Sequence, residues 1–460
     1  MTAVLKTDIA VIGAGTAGSL AFHEITRAGR QALLIDRGPL GTTCARVGCM
    51  PSKAALHAGR QWADFRQLLA GNAPPAGCSA EALWQQARAT RDALATAAAQ
   101  RTRTAAGERL LMGAARFVAP DTLDVDGQLV QARAFVIATG SRPVVPAALN
   151  AAGNRLLTTD SLFELDRLPH SIGIAGLGAI GLEMGLALSR LGVHVIAADL
   201  KSMPAGISDP AIADRALQRF GRELTLWLGR PVQAQATAAG VRFWNGESEA
   251  TVDVVLAALG RRPNVEALEL GAAGVALDDH GQPVIDPVSL RAGAAPLFLA
   301  GDVQPDRPLM HEAADEGVIA ARGALAVLDG AVAQLPARRT PITIVFSDPD
   351  ICAVGTGWDQ LDRQRTVVGS AEGSGNGRSK ILGAQDNLVR IYADRASGRL
   401  LGASLISTHG EHLAHLLAWA VQRAESVTTL LAMPYYHPSV EEMVQSALKD
   451  AAQQLATAQT

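Results

Sequence analysis

Short apolar runs, each closed by a glycine-rich turn and followed by a helical pattern, organise most of this chain. Asp8 to Ile12 read as a strand, Gly13-Ala14-Gly15-Thr16-Ala17-Gly18 as a turn, and the following residues as a helix to Ala28. Gly29 ends that helix, and Gln31 to Ile35 form a second strand ending at Asp36. The same order returns later. Ser171 to Ala175 form a strand, Gly176-Leu177-Gly178-Ala179-Ile180-Gly181 the turn, and Leu182 to Leu191 a helix. Gly192 closes it, and Val193 to Ala198 form a strand ending at Asp199. Returning strands follow: Phe135 to Ala138 before Thr139-Gly140-Ser141-Arg142-Pro143, and Val254 to Leu259 before Gly260-Arg261-Arg262-Pro263-Asn264. Leu297 to Ala300 leads into Gly301-Asp302. Residues 54–106 predict two alanine-rich amphipathic helices separated by Asn72-Ala73-Pro74-Pro75. From Pro341 the character changes: Ile342 to Asp350 is a strand and turn, Leu388 to Tyr392 and Leu401 to Ile406 are strands, and helices follow.

Each glycine-rich turn has the chemistry of a dinucleotide fingerprint. Gly13 and Gly176 allow the tight turn, Gly15 and Gly178 let a pyrophosphate approach backbone N–H groups, and Gly18 and Gly181 let helix and strand pack closely. The helix N-terminus then stabilises the phosphate charge. In both units the acid stands 18 residues past the third glycine, placed to accept hydrogen bonds from an adenosine ribose. An acid at Asp199 favours NAD(H) over NADP(H), with Lys201 close enough to weaken the preference. Two fingerprints imply two dinucleotides, a nicotinamide that delivers hydride and a flavin that receives it. The fold expected is α/β, with two Rossmann-like dinucleotide-binding domains, the second inserted in the first, plus a C-terminal α+β domain.

Composition narrows the function classes. At 460 residues the chain has room for about three domains. Formal net charge is −3 with basic residues dispersed, which argues against a nucleic-acid or anionic-membrane footprint. The N-terminal residues lack an export-leader pattern, and no apolar run reaches the roughly 18 residues of a membrane span. The expectation is a cytoplasmic protein. Four cysteines, Cys44, Cys49, Cys78 and Cys352, are too few for a disulfide scaffold, and no metal site is expected. In a reducing compartment a disulfide is more often catalytic than structural.

Cys44 and Cys49 lie in Gly41-Thr42-Thr43-Cys44-Ala45-Arg46-Val47-Gly48-Cys49-Met50-Pro51-Ser52-Lys53. In an ideal helix, residues five apart have Cα atoms roughly 8–9 Å apart, beyond the roughly 4.4–6.8 Å a disulfide tolerates. A bridging pair therefore requires a loop or a distorted first turn, for which Gly48 and Pro51 are suited. Spacing alone leaves open two unrelated buried thiols.

Together these motifs make the chain resemble the class I pyridine nucleotide–disulfide oxidoreductases, the family of dihydrolipoamide dehydrogenase, glutathione reductase and mercuric reductase. The resemblance covers nearly the whole chain. Its most specific marker is Cys44-x4-Cys49-Met50-Pro51-Ser52-Lys53 in register after the first fingerprint. Gly181-Leu182-Glu183-Met184-Gly185 is most similar to the dihydrolipoamide dehydrogenase branch, which implies that Glu183 pairs with Lys53 near the flavin. The resemblance implies an FAD-binding domain from residues 1–147 and 265–338, an NAD(P)-binding domain at 148–264 and a dimerisation domain at 339–460. It implies FAD contacts from Gly13, Gly15, Gly18, Asp36, Thr43, Lys53, Thr139, Gly140, Gly301 and Asp302, and nicotinamide-dinucleotide contacts from Gly176, Gly178, Gly181, Asp199 and Gly260. His311 is expected to be structural or flavin-side.

In Tyr435-Tyr436-His437-Pro438-Ser439-Val440-Glu441-Glu442, the family pattern makes His437 the base of the partner subunit's active site in a homodimer and Glu442 its orienting carboxylate. Such a base suits disulfide exchange, which needs a thiolate from a group with a pKa near 8.5. Cys44 becomes the exchange thiol and Cys49 the flavin-side thiol, while Cys78 and Cys352 are expected to be ordinary buried residues. Two positions depart from the pattern: Thr42 replaces a glycine and Arg46 an asparagine. Arg46 is expected either to pair with a surface acid or cofactor phosphate, or to attract an anionic substrate.

The activity implied is electron transfer between a dithiol or disulfide, with dihydrolipoamide/lipoamide or a lipoyl-carrier protein first, the cysteine pair, FAD and NAD(H). The absence of cysteines after Cys352 disfavours mercuric reductase and large thioredoxin reductases. Another disulfide or persulfide reductase remains open, as does a flavoprotein redox sensor without turnover.

Overall fold

The structure, a computed structural model, describes residues 3–457 and divides into two compact units. One comprises the chain up to Pro51, Arg88–Val144 and Gly260–Arg338. At the heart of its seven-stranded sheet is Leu5–Ile12, with Ala32–Asp36 parallel on one side and Gln128–Ile137 parallel on the other. Leu297–Leu299 joins in parallel beside Gln128–Ile137, and Leu110–Met112 beside Ala32–Asp36. Apolar residues alternate between two cores: Ile9, Val11 and Val136 face one, and Ala10, Ile12, Phe135 and Leu299 face the other. Both faces are thus covered, as a parallel sheet requires.

Register aligns the functional turns. Ile12 pairs with Ile35 and with Ile137, and Ile137 pairs with Leu299. The segments beginning at Gly13, Asp36, Thr139 and Gly301 therefore leave the sheet at one carboxyl edge, where ligands of such sheets bind. Helices Thr16–Arg27 and Met310–Asp329 share the first core. Their crossing needs Gly317: a Cβ there would lie 2.3 Å from the carbonyl oxygen of Ala17.

The second unit comprises Ser52–Ala87, Val145–Leu259 and the chain from Arg339 onward. Its parallel sheet runs Thr225–Leu228, His194–Asp199, Ser171–Ala175, Val254–Ala257, Leu156–Leu157. Helix Ala179–Arg190 follows the second glycine turn. Beyond Arg339, an antiparallel sheet orders Ile342–Val345, Asp350–Gly355, Leu400–Ser407, Leu388–Asp394 and Thr366–Glu372. Helices Gly410–Gln422 and Glu442–Thr457 bury Leu413, Leu417, Val444 and Leu448 in the same core as its Val389 and Leu405. The mixed α/β class, with one parallel and one mostly parallel sheet and an α+β region, is the one expected.

Local boundaries differ in instructive ways. The strand expected at Phe135 to Ala138 starts at Gln128, because its first half pairs antiparallel with Thr122–Val125 and needs no apolar run. The first helix of the 54–106 stretch starts earlier, at Cys49, and runs to Leu69; the second is Ala80–Ala106. Cys352 is buried as expected, but Cys78 is exposed, in the turn between those helices. Among the described residues no helix is long and apolar enough to cross a membrane.

In the antiparallel sheet, burial and a hydrogen bond to the Glu411 carboxylate push the Asp350 carboxyl up to about 9, while Glu411 is pulled down by the same bond. The folded state thus holds a proton the unfolded chain releases near pH 4. That contribution to stability is full below the unfolded value and is lost as pH rises through the folded one. Asp350→Asn keeps a donor for Glu411 without titrating. Urea unfolding between about pH 5 and about pH 9 is expected to show a flatter stability profile for the variant than for the wild type. Parallel profiles would count against the shared proton.

Candidate active site

The thiol segment is a broken helix. Thr43–Arg46 makes one short turn, closed by Arg46 N–H to the Thr42 carbonyl (3.1 Å) and Val47 N–H to the Thr43 carbonyl (3.0 Å). The chain breaks at Val47-Gly48 and restarts as helix Cys49–Leu69. Gly48 serves close approach: a Cβ there would lie 3.0 Å from the Thr43 oxygen and 3.1 Å from the Cys44 Cα. Pro51 sits inside the first turn of the new helix, where a missing N–H leaves no bond unmade.

Cys44 is half-buried and Cys49 exposed. Hydrogen bonding to Cys49 raises the Cys44 thiol well above its ordinary value, with burial and the charge on Cys49 adding to it. The two titrate as a pair, and their contact holds the proton on Cys44. The backbone N–H groups of Cys49 and Met50 pull the other way, donating to the Cys44 sulfur. Cys44 thus needs an external base to become a nucleophile, and the helix amides are placed to stabilise the thiolate once it forms.

Thr42 stands at φ 58°, ψ 148°, a conformation that glycine adopts and a β-branched residue resists. In return its hydroxyl oxygen accepts the Ala45 N–H at 3.1 Å, capping the turn that carries Cys44. Strain of about 1–3 kcal/mol exceeds the few tenths that glycine loses relative to threonine as a cap. Thr42→Gly is therefore expected to stabilise the protein by about 1 kcal/mol, and Thr42→Ala, which keeps the strain and loses the cap, to destabilise it by about 1 kcal/mol. Chemical unfolding measures both, and a destabilised glycine variant would contradict the strain. Arg46 lays its stem against Gly41, whose added Cβ would meet the Arg46 Cδ at 3.2 Å. No surface acid pairs with its guanidinium among the described residues, which leaves a cofactor phosphate or an anionic substrate as its expected partner.

One turn after Cys49, Lys53 donates to both Glu183 carboxylate oxygens at 2.8 Å. Glu183, on helix Ala179–Arg190, is buried, so this partner compensates a charge that burial alone would disfavour. A third group joins them: the Phe346 N–H donates to Glu183 Oε1 (3.1 Å), and its ring lies 4.5 Å from Lys53 Nζ. Phe346 was not singled out in the sequence. It lies 163 positions from Glu183, and no spacing encodes such a contact.

His437 Nδ1 lies 3.0 Å from Glu442 Oε1, and the Ser439 N–H donates to Glu442 Oε2 at 3.0 Å. The Ser439 amide, with the histidine, holds the Glu442 carboxyl below its ordinary range. With Nδ1 turned to the carboxylate, Nε2 is the basic nitrogen of an imidazole whose side chain is 77% exposed.

The glycine turns fit dinucleotides. Gly15 and Gly178 each precede a helix that no side chain caps, and a Cβ at either would meet open space. Free helix amides beside open space form a phosphate cradle. Gly18 and Gly181 serve packing, since an added Cβ would lie 1.8 Å from the Gly13 or Gly176 oxygen. Asp36 accepts the Ala14 and Gly38 amides at 2.6 Å each. Asp199 likewise accepts the Leu177 amide (2.6 Å) and the backbone amide of Lys201 (2.8 Å). Asp302 accepts the Ser141 hydroxyl at 3.0 Å, and two residues on, the buried Gln304 Nε2 has no hydrogen-bond partner among the described residues, a donor suited to a polar cofactor. The Thr139 hydroxyl donates to the Asn264 carbonyl at 2.8 Å; Gly140 and Gly260 take positive φ (66° and 94°) with open space before them. Thr43 is exposed at the start of the Cys44 turn, and His311 is exposed in the first turn of Met310–Asp329. The two Arg-Pro turns pair with each other, Arg261 with Pro143 and Pro263 with Ser141. Among the described residues no cluster of three metal-ligating side chains occurs.

The family described as pyridine nucleotide-disulphide oxidoreductase matches residues 7–317, and its dimerisation domain matches residues 341–448. A dihydrolipoyl dehydrogenase of Halobacterium salinarum is 28% identical over 480 residues, covering 97% of this chain and 96% of that protein. Dihydrolipoyl dehydrogenase 3 of Pseudomonas aeruginosa is 30% identical over 467 residues, covering 96% and 97%. In fold, the chain is similar to the HOCl-induced flavoprotein disulfide reductase RclA of Escherichia coli, with a TM-score of 0.80 at 21% identity, covering 96% and 98%. It is similar also to LpdA of Mycobacterium tuberculosis, with a TM-score of 0.82 at 23% identity, covering 98% and 100%.

Proposed function

Because the chain belongs to the pyridine nucleotide-disulphide oxidoreductase family, whose cofactors are FAD and NAD(P), we propose that it passes two electrons between a dithiol substrate, the Cys44–Cys49 pair, FAD and NAD(H). Dihydrolipoamide is the substrate this reading favours, supported by relatives named dihydrolipoyl dehydrogenase along nearly the full length. The observation that carries it is the helix broken at Gly48, which sets Cys44 against the restarting helix at Cys49, one turn before the Lys53 that pairs with Glu183.

Residues 1–147 and 265–338 form the FAD domain, 148–264 the NAD(P) domain and 339–460 the interface of a homodimer. Gly13, Gly15, Gly18 and Asp36 hold FAD, with Thr43, Lys53, Thr139, Gly140, Gly301 and Asp302. Gly176, Gly178, Gly181, Asp199 and Gly260 hold NAD(H). Bound there, FAD would supply a two-electron acceptor between the thiol pair and the nicotinamide.

The chain's own residues carry the exchange. His437 of the partner subunit takes a proton from a substrate thiol, and the resulting thiolate attacks the Cys44 sulfur of the Cys44–Cys49 disulfide. That S–S bond breaks and Cys49 leaves as a thiolate. His437 passes that proton to solvent and takes the proton of the second substrate thiol, whose thiolate attacks the first substrate sulfur, so the substrate leaves as a disulfide and Cys44 is released to recover the second proton from His437. Glu442 fixes the imidazole tautomer and stabilises its charged form. Lys53, held by Glu183, keeps a positive charge beside the Cys49 end of its helix. The setting is cytoplasmic.

Steady-state assays of dihydrolipoamide, glutathione disulfide and a small persulfide with each nicotinamide test the reading. Dihydrolipoamide with NAD is expected to give the highest kcat/KM, exceeding NADP by roughly 10-fold or more, the worth of one charged hydrogen bond to a ribose hydroxyl. A higher kcat/KM for another sulfur substrate would replace the assignment. Arg46→Asn is expected to weaken turnover of anionic disulfides selectively, and equal losses on neutral ones would remove Arg46 from the substrate site.

A further inference from the structure

Behind the Gly301-Asp302 turn lies a buried charge cluster that the exchange chemistry does not use. Glu316, on helix Met310–Asp329, is 2% exposed. Its Oε2 accepts the Gly301 N–H at 2.8 Å, and its Oε1 accepts Arg338 Nη2 at 2.5 Å. Gly301 itself is pinned: it sits at φ +78°, and a Cβ there would lie 3.0 Å from the Ala17 Cβ and 3.3 Å from the Ala313 Cβ. The turn is thus wedged between the first fingerprint helix and the helix that carries Glu316. On its other side, Arg261 Nε donates to the Ser141 hydroxyl (2.9 Å), and that hydroxyl donates to Asp302 Oδ2 (3.0 Å).

A carboxylate this deep is costly unless paired. Burial raises the Glu316 carboxyl, and the Gly301 amide and Arg338 oppose the shift. Arg338 is the last residue of its unit and reaches back into it, with Glu312 Oε2 at 3.9 Å and Asp306 Oδ2 at 3.7 Å from Nη1. Among the described residues its buried Nε and Nη1 have no hydrogen-bond partner, and its bond to Glu316 is the closest of its ion pairs. A guanidinium held at that cost has a specific task, which is to hold a buried acceptor in place.

We propose that Glu316 is a positioning residue for the cofactor, holding the Gly301 amide so that Asp302 faces the FAD site, with Arg338 locking Glu316 in that geometry. This rests on the reading that Asp302 contacts FAD, and it adds two residues that touch neither flavin nor substrate.

The test is a double-mutant cycle on the FAD-loaded protein, reading the dissociation constant from flavin fluorescence released on dilution. Asp302→Ala and Glu316→Ala are each expected to raise it about 10-fold, the loss of one charged hydrogen bond. Because Glu316 acts through Asp302, the double variant should stay within roughly 3-fold of Asp302→Ala alone. Glu316→Gln, which still accepts from the Gly301 amide, should stay within about 3-fold of wild type, and Arg338→Met should fall between the two. Multiplying effects in the double variant, or a glutamine variant as weak as the alanine one, would overturn the proposal. Should Glu316→Ala not fold, Glu316→Gln and Arg338→Met still decide it: unchanged affinity in Arg338→Met overturns the lock. If Asp302→Ala alone binds FAD like wild type, the reading of Asp302 fails, and the proposal with it.

Discussion

Serine in place of Cys49 is expected to lower NAD-linked disulfide turnover by about 10³-fold or more, while NADH oxidation by ferricyanide survives. The asymmetry follows from the thiol pair. Serine has no sulfur to form the disulfide, and its hydroxyl cannot leave as a thiolate when that bond is exchanged. Ferricyanide needs no disulfide, and the glycine cradles at Gly15 and Gly178 are untouched. Cys44→Ser is expected to lose disulfide turnover to the same degree, since the sulfur that meets substrate is gone. Comparable losses with disulfide and ferricyanide would mean that the pair is structural. A wild-type protein that oxidises NADH with ferricyanide yet turns over no disulfide would instead favour the sensor.

His437→Gln is expected to reduce disulfide turnover by about 10²–10⁴-fold, the usual range for removing a general base. The Cys44 thiol is held protonated by its neighbour, so exchange at that sulfur depends on a group that moves the proton. Glu442→Gln is expected to cost less, about 10-fold. The amide still accepts the Ser439 N–H but no longer stabilises a charged imidazole. Ferricyanide activity should stay at the wild-type level in both. A His437→Gln enzyme within about 3-fold of wild type would remove the histidine from the chemistry.

The parts of the fold legible in the sequence are those set by local chemistry. Ser171–Ala175 was readable to the residue, because an apolar run ending in glycine leaves few alternatives. Of the fingerprint glycines, Gly18 and Gly181 answer a steric demand within their own turn: each must clear the carbonyl of the turn's first glycine, whatever the rest of the chain does. The pairing of Lys53 with Glu183 was legible only through the family resemblance. Its third member, Phe346, and the Arg338–Glu316–Gly301 chain were not legible, since they depend on how separate segments pack. Cys78 was misjudged for the opposite reason: a small apolar side chain carries no local signal of exposure. The break at Gly48 was anticipated as a distorted turn, but the need for glycine is visible only once Thr43 and Cys44 lie beside it.

The central claim is that Cys44 and Cys49 form a disulfide that nicotinamide reduces through the protein, and counting thiols tests it most directly. The FAD-loaded protein, oxidised and then denatured under acid, should show two titratable thiols of its four cysteines, those of Cys78 and Cys352. After anaerobic NADH it should show all four. A count that NADH leaves unchanged would contradict the claim.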